Sequence, residues 1–134
     1  MKPTFAVVLV FVGGAVGAIA REFLMLFVPN LSHGFPLDIL VANLVASFLI
    51  GFSTGRHNRK AIDDGWHLMV TTGMMGGLST FSSFAYATSV LMRASMTGAL
   101  VAAAYVFISL VMGYVAVTIG MKIGGMGVKR SPQS

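Results

Sequence analysis

The chain is 134 residues long, 56% hydrophobic and 10% charged, with nine Lys/Arg against four Asp/Glu and no cysteine. So little charge excludes an ordinary water-exposed surface, which carries about 25% charged residues, and also excludes disorder, which needs high charge and low hydrophobicity. The absent cysteines exclude disulfides, thiolate chemistry and Cys-based metal sites. The net charge of +5 lies between apolar runs, as in membrane loops, not in a nucleic-acid patch.

A membrane-spanning helix takes about 20 residues, so the length admits four spans and no second domain. The expected fold is an all-α membrane protein with spans over about 4–28, 37–55, 67–92 and 97–121. These form one domain across 1–134, ending in a basic tail at 122–134. The spans must be helices, because lipid offers no partner to an open strand edge. The first run begins with Lys2 and contains Ala18-Ile19-Ala20, features of a signal peptide. It continues through Phe23-Leu24-Met25-Leu26-Phe27, past the usual h-region, and is read as a retained span. Turn formers Pro29, Asn30, Ser32 and Gly34 end it. Arg56, Arg59 and Lys60 stop the second run, and Arg93 stops the third.

Seven Lys/Arg fall at the N-terminus, the second loop and the C-terminal tail, the last group being Lys122, Lys129 and Arg130. The opposite side holds Arg93 and Arg21, so the charge rule places the richer side in the cytoplasm. Gly13/Gly17 and Gly51/Gly55 have the GxxxG spacing that lets helices approach closely in lipid. Four thin helices enclose little volume, which points to a second copy around any pathway.

The third run is the informative one. Gly73, Gly76 and Gly77 crowd its middle together with Thr71, Thr72, Ser79 and Thr80. Each Gly costs a helix about 1 kcal/mol relative to Ala, and Ser79 and Thr80 are good N-caps. One reading is two half-helices meeting at an unwound segment, 76–80, near the bilayer midplane. Its freed backbone groups then need protein, water or ions as partners, the N-terminal end favouring an anion and the carbonyls a cation. The other reading is a mild kink with the hydroxyls bonded back to i−4 carbonyls.

Phe81 and Phe84 share one helix face. Their ring edges are electropositive and suit a small anion, although packing or lipid contact explains them equally. Asn43 offers amide donors to an anion or to a neighbouring helix. Tyr105 and Ser109, one turn apart, either line a path or make helix contacts. Arg21 and Glu22 lie near the far end of the first span. His33, His57 and His67 fall in loops or at span ends, with no metal-ligand spacing. No nucleophile–base pair, P-loop or nucleotide fingerprint is present, so an enzyme is not expected. The acids Glu22, Asp38, Asp63 and Asp64 sit at span ends or in loops, whereas proton-coupled transport generally needs a carboxylate within the membrane. A small multidrug-type proton-coupled exporter using Glu22 is the alternative, and a non-transporting accessory subunit a third reading.

The stretch Gly76-Gly77-Leu78-Ser79-Thr80-Phe81-Ser82-Ser83-Phe84 resembles the third-helix motif of the Fluc/CrcB family of fluoride channels. Gly13-Gly14-Ala15-Val16-Gly17-Ala18-Ile19-Ala20-Arg21 is similar to the first-helix motif, and Val41 to Gly51, with its Asn43, to the second. The resemblance implies an antiparallel, dual-topology homodimer with two narrow pores in the bacterial inner membrane. It implies passive, selective fluoride export. It puts Phe81, Phe84, Asn43, Tyr105, Ser109, Ser82 and Ser83 along the fluoride pore, and Arg21 where it raises the local potential. It also implies a central structural Na⁺ held by the Gly76 and Ser79 carbonyls of both copies. Ser79 replaces a commoner Thr, Ala46 a Gly, and Ile39, Gly113 and Val117 stand where relatives often carry hydroxyls.

Overall fold

The computed structural model describes residues 1–28, 36–79 and 81–127, with the side chains of Phe81 and Ser82 excepted. All regular structure in the described residues is helical. Helix α1 covers Pro3–Phe27, with Pro3 at its first turn, where the missing N–H costs nothing. Helix α2 covers Leu37–Asn58. The third segment is divided into α3 (Asp64–Leu68), a π-helical stretch (Met69–Met74), α4 (Met75–Leu78) and α5 (Phe81–Ala94). Helix α6 runs Met96–Gly125 and starts at Ser95, whose hydroxyl accepts the Gly98 N–H at 3.0 Å.

Three helices, α1, α2 and α6, are each long and apolar enough to cross a membrane. The third run, expected over 67–92 with an interruption at 76–80, is a series of short pieces among the described residues, because glycines and back-bonding hydroxyls disturb its hydrogen-bond ladder. Thr71 Oγ1 donates to the His67 carbonyl at 2.7 Å, and the ladder shifts to i−5, the Met75 N–H reaching the Val70 carbonyl. Two expected ends also move. Helix α2 continues through Arg56 and His57 to Asn58, and α6 carries on past residue 121, so the basic tail placed at 122–134 begins inside a helix. The turn signals at Pro29, Asn30, Ser32 and Gly34, with His33, lie outside the described residues, as do Thr80, Lys129 and Arg130.

Helix α2 turns into α3 through a Schellman motif: Lys60 N–H to the His57 carbonyl and Ala61 N–H to the Arg56 carbonyl, both 2.9 Å. Lys60 occupies its left-handed position with φ +56°. Asp63 caps α3, its Oδ1 accepting the Trp66 N–H at 3.2 Å.

Two glycine seams organise the packing. On one, α1 lies against the π stretch and α4. A Cβ at Gly13 would strike the Met69 carbonyl, one at Gly17 the Met74 carbonyl, and one at Gly77 the Gly14 carbonyl. On the other, α2 lies against α6. Gly51 faces the Val117 carbonyl, Gly55 the Met121 carbonyl, Gly120 the Phe48 carbonyl and Gly124 the Phe52 carbonyl. Backbone meets backbone in each case, which is the gain small residues give where lipid removes the hydrophobic drive between helices. The seams are joined by a small core of Ala46, Met75 and Leu78, flanked by Ala20, Val45, Leu49, Ile50, Val70 and Met74. Most other large apolar side chains face outward, including Phe11, Leu26, Leu100 and Phe107, as expected of helices solvated by acyl chains.

The seams also fix which ends lie together. Gly65 of α3 sits beside Leu9 and Phe5 of α1, and the C-terminal end of α6 at Gly125 lies beside Gly55 and Arg59 of α2. The N-terminal half of α1, the α2–α3 turn and the end of α6 therefore share one end of the molecule.

Two substitutions test this packing. Gly17→Ala drives a Cβ into backbone that cannot yield, so the unfolding free energy in detergent should fall by about 1–3 kcal/mol. Gly76→Ala meets nothing within 4 Å in the chain's own fold and, at a helical position, should raise that free energy by up to about 1 kcal/mol. Lys60→Gly removes the left-handed strain and should raise stability by about 1 kcal/mol, read by the same denaturation.

Candidate functional site

The third segment ends its first half at a defined point. Helix α4 stops at Leu78, and Ser79 has extended backbone, φ −84° and ψ 144°. Ser79 also closes the preceding turn: its N–H and its hydroxyl both donate to the Met75 carbonyl, at 2.9 and 2.8 Å. The hydroxyl bonds back to i−4, and the backbone is extended at Ser79. The change of conformation is narrower than the expected 76–80, because Gly76, Gly77 and Leu78 are helical. A helix end leaves the carbonyls of its last turn without helical donors, and the next helix leaves its first N–H groups so. Here those two ends, Leu78 and Phe81, are three residues apart in the chain. Gly76 is exposed, with open space where a side chain would stand.

Helix α5 carries the aromatic part of the site. Phe84 is half-buried, and its ring lies on that of Tyr105 from α6, centroids 5.3 Å apart and tilted 33°. Tyr105 is completely buried. The Phe84 carbonyl accepts from Thr88 Oγ1 at 2.9 Å. A groove of about 490 Å³ runs along α5 from Phe84 past Thr88 and Ser89 to Arg93. Ala85 and Met92 complete its lining.

The remaining sequence candidates are spread around this line. Asn43 is half-buried on α2, next to the buried Ala42; Ser47, one turn on, lies near Gly113 of α6. Ser109 is half-buried one turn beyond Tyr105, and Ser83 is half-buried beside Phe84. The side chains of Phe81 and Ser82 lie outside the described residues. Arg21 is partly buried, its Nε without a hydrogen-bond partner among the described residues, and its Nη2 stands 3.6 Å from Glu22 Oε1. The Glu22 side chain is 70% exposed and lies in the last turns of α1, not at mid-depth.

Phe84 and Tyr105, far apart in sequence, are brought into contact, and Gly76 and Ser79 flank the end of α4. Two features went unread in the sequence. The Gly73/Gly77 and Gly120/Gly124 pairs complete the seams and have the same four-residue spacing as the pairs that were noticed. His57 and His67, expected in loops or at span ends, lie on α2 and α3 and stack ring to ring; no local pattern announces that contact.

A family model described as "CrcB-like protein, Camphor Resistance (CrcB)" matches residues 8–121. The chain is 59% identical over 118 residues to "Fluoride-specific ion channel FluC 1" of Brucella abortus biovar 1, covering 88% of this chain and 44% of that protein. It therefore spans less than half the length of that relative. It is 49% identical over 127 residues to "Fluoride-specific ion channel FluC 3" of Yersinia pseudotuberculosis serotype I, covering 95% of this chain and 94% of the relative. A protein of Ignicoccus hospitalis named "Fluoride-specific ion channel FluC" is 43% identical over 115 residues, 86% of this chain and 91% of its own. With the matched region running from the first helix to the last, the chain belongs to the CrcB-like, Camphor Resistance (CrcB) family of membrane proteins.

Proposed function

We propose that this chain is a passive, fluoride-selective channel that lets F⁻ leave the bacterial cytoplasm down its gradient, across the inner membrane. The observation that carries the reading is the helix end at Ser79 followed, one turn into α5, by the Phe84 ring on the buried Tyr105, in a chain whose relatives bear the name of fluoride channels.

Fluoride is small and strongly hydrated, so a pore must replace its water with donors. The Asn43 amide, the Ser82, Ser83 and Ser109 hydroxyls, the Tyr105 phenol and the electropositive rims of Phe81 and Phe84 supply them. The first N–H groups of α5 and the Arg21 guanidinium add positive potential without a mobile counter-charge. Larger halides shed water more easily but are too wide for a narrow aromatic passage, and that steric limit gives the selectivity. Downhill flow needs no coupling carboxylate, and the exposed, end-placed Glu22 is unsuited to one. The exporter reading therefore draws no support.

The third segment crosses the membrane as two half-helices, making four crossings in all, and two copies pack antiparallel around the interruption. The space beside Gly76 and the extended Ser79 suit a hard cation with oxygen ligands. The Gly76 and Ser79 carbonyls of both copies would hold Na⁺ there, where it supplies fixed positive charge and joins the copies.

Fluoride release from proteoliposomes containing this chain alone, followed with a fluoride electrode, tests the channel. Phe84→Ile and Asn43→Leu should each slow release by about tenfold or more, the effect of losing about 1.4 kcal/mol at the barrier, while the oligomer still elutes as in the wild type. Undiminished release in both variants overturns the pore assignment. Because the chain has no cysteine, Ala94→Cys gives a single reporter of orientation. An impermeant maleimide should label about half of it from each face of the membrane, as dual topology requires despite the Lys/Arg bias; labelling from one face only overturns the antiparallel arrangement.

A further inference from the structure

At the end of the molecule away from Arg93, four polar side chains form a chain across the α2–α3 turn. The Ser53 hydroxyl, 4% exposed on α2, lies 3.0 Å from His67 Nδ1 on α3. The His67 ring stacks on that of His57, centroids 4.3 Å apart and nearly parallel at 11°. His57 Nε2 in turn donates to Asp64 Oδ1 at 2.6 Å. The links alternate between elements: Ser53 and His57 on α2, His67 and Asp64 on α3. Breaking any one loosens the side-chain attachment of the third segment to α2.

This is not a metal site. Parallel stacked imidazoles direct their ring lone pairs along parallel planes and not at a common point, and among the described residues no three His, Asp or Glu side chains converge as ligands. It is an arrangement for protons. Two ring cations face to face at 4.3 Å repel one another strongly, so the stacked pair resists carrying two charges. The buried Ser53 hydroxyl shares a hydrogen bond with His67 Nδ1 whose direction follows the His67 tautomer.

We propose that His57 and His67 form a one-proton pair that fastens the start of the third membrane segment to the end of α2 and releases it when a second proton binds. Asp64 acts on His67 in favour of that second charge, but burial first and the His57 ring next outweigh it and hold the His67 imidazole below its ordinary value. From α2 the nearby charges are His57 and Arg56, whose guanidinium lies over the Phe52 ring at 5.3 Å. From α3 come Asp64, already engaged by His57, and Asp63, which caps its own helix. From α1 the N-terminal amine acts on Asp64, the π stretch carries no titratable side chain, and Lys122 of α6 borders Asn58 and Arg59 in the adjoining notch. The hydrogen bond from His57 holds the Asp64 carboxyl below its usual range. A lowered carboxylate keeps its contribution until pH falls through its folded-state value, so the Asp64 link is intact over the whole range in which imidazoles titrate.

The test uses the full chain in lipid nanodiscs and does not depend on transport, so it stands or falls separately from the fluoride reading. Histidine ring resonances are followed by NMR from pH 8 to 4.5 in the wild type and in His57→Gln. Two steps separated by about one pH unit or more are expected in the wild type, and His67 should titrate about one unit higher once its neighbour cannot charge. Rings that titrate together at the ordinary imidazole value, or a His67 step unmoved by His57→Gln, overturn the pair. Amide exchange then reads the release. Protection over residues 64–74, corrected for intrinsic rates, should fall about tenfold between pH 7 and pH 5 in the wild type and stay constant in His57→Gln. Protection that does not change with pH in the wild type overturns the release.

Discussion

Everything in this fold depends on how closely helix backbones can approach where the hydrophobic effect gives no help. Lipid tails solvate leucine as well as another leucine does, so association rests on dispersion and close fit. The chain meets that condition with glycine pairs four residues apart on four segments. Each pair presents a groove to carbonyls of the facing helix, and the facing helix returns the arrangement. The result is two seams, α1 with the first half of the third segment and α2 with α6, joined by only a few buried side chains.

The first seam gives the interrupted segment its support. Gly17 lies against the Met74 carbonyl and the Leu78 N–H, immediately before the backbone becomes extended at Ser79. A helix as short as α4 has little stability on its own. Held flush against α1, with the Met75 carbonyl satisfied by Ser79, it has a rigid backing and a single point of departure. The second seam positions α6 so that Tyr105 is wholly buried and can receive the Phe84 ring. The polar and aromatic groups proposed to meet the ion thus rest on helices and not on loops.

The imidazole pair lies at the other end of the third segment, before the π stretch and ten residues upstream of Gly77. The two regions share α3, the π stretch and α4 as one continuous helical path. What ties α3 to α2 there is a tight Schellman turn and a short series of polar contacts, in contrast to the close backbone packing elsewhere. The attachment at that end is therefore the one that responds to protons, and the attachment along α1 the one that does not.

Composition and the lengths of the apolar runs determined the membrane class and the positions of three of the helices, because solvation in lipid is a property of a segment's own side chains. The motif from Gly76 to Phe84, with Gly13 to Arg21, determined the family, since glycines and hydroxyls in that pattern have few other uses within a span. The ends of helices were less legible: α2 and α6 run past their basic stops because Arg56, His57 and Lys122 are tolerated in the last turns, where they complement the helix dipole. Tertiary structure alone decided which glycines face which carbonyls, that Phe84 lies on Tyr105, and that His57 meets His67. Each of those contacts joins residues ten or more positions apart, through helix rotations that are set by packing and leave no periodic trace in the chain. The division of the third segment is the mixed case: its glycines and hydroxyls signalled a disturbance, but only the fit against α1 fixed it at Ser79 and kept Gly76, Gly77 and Leu78 helical.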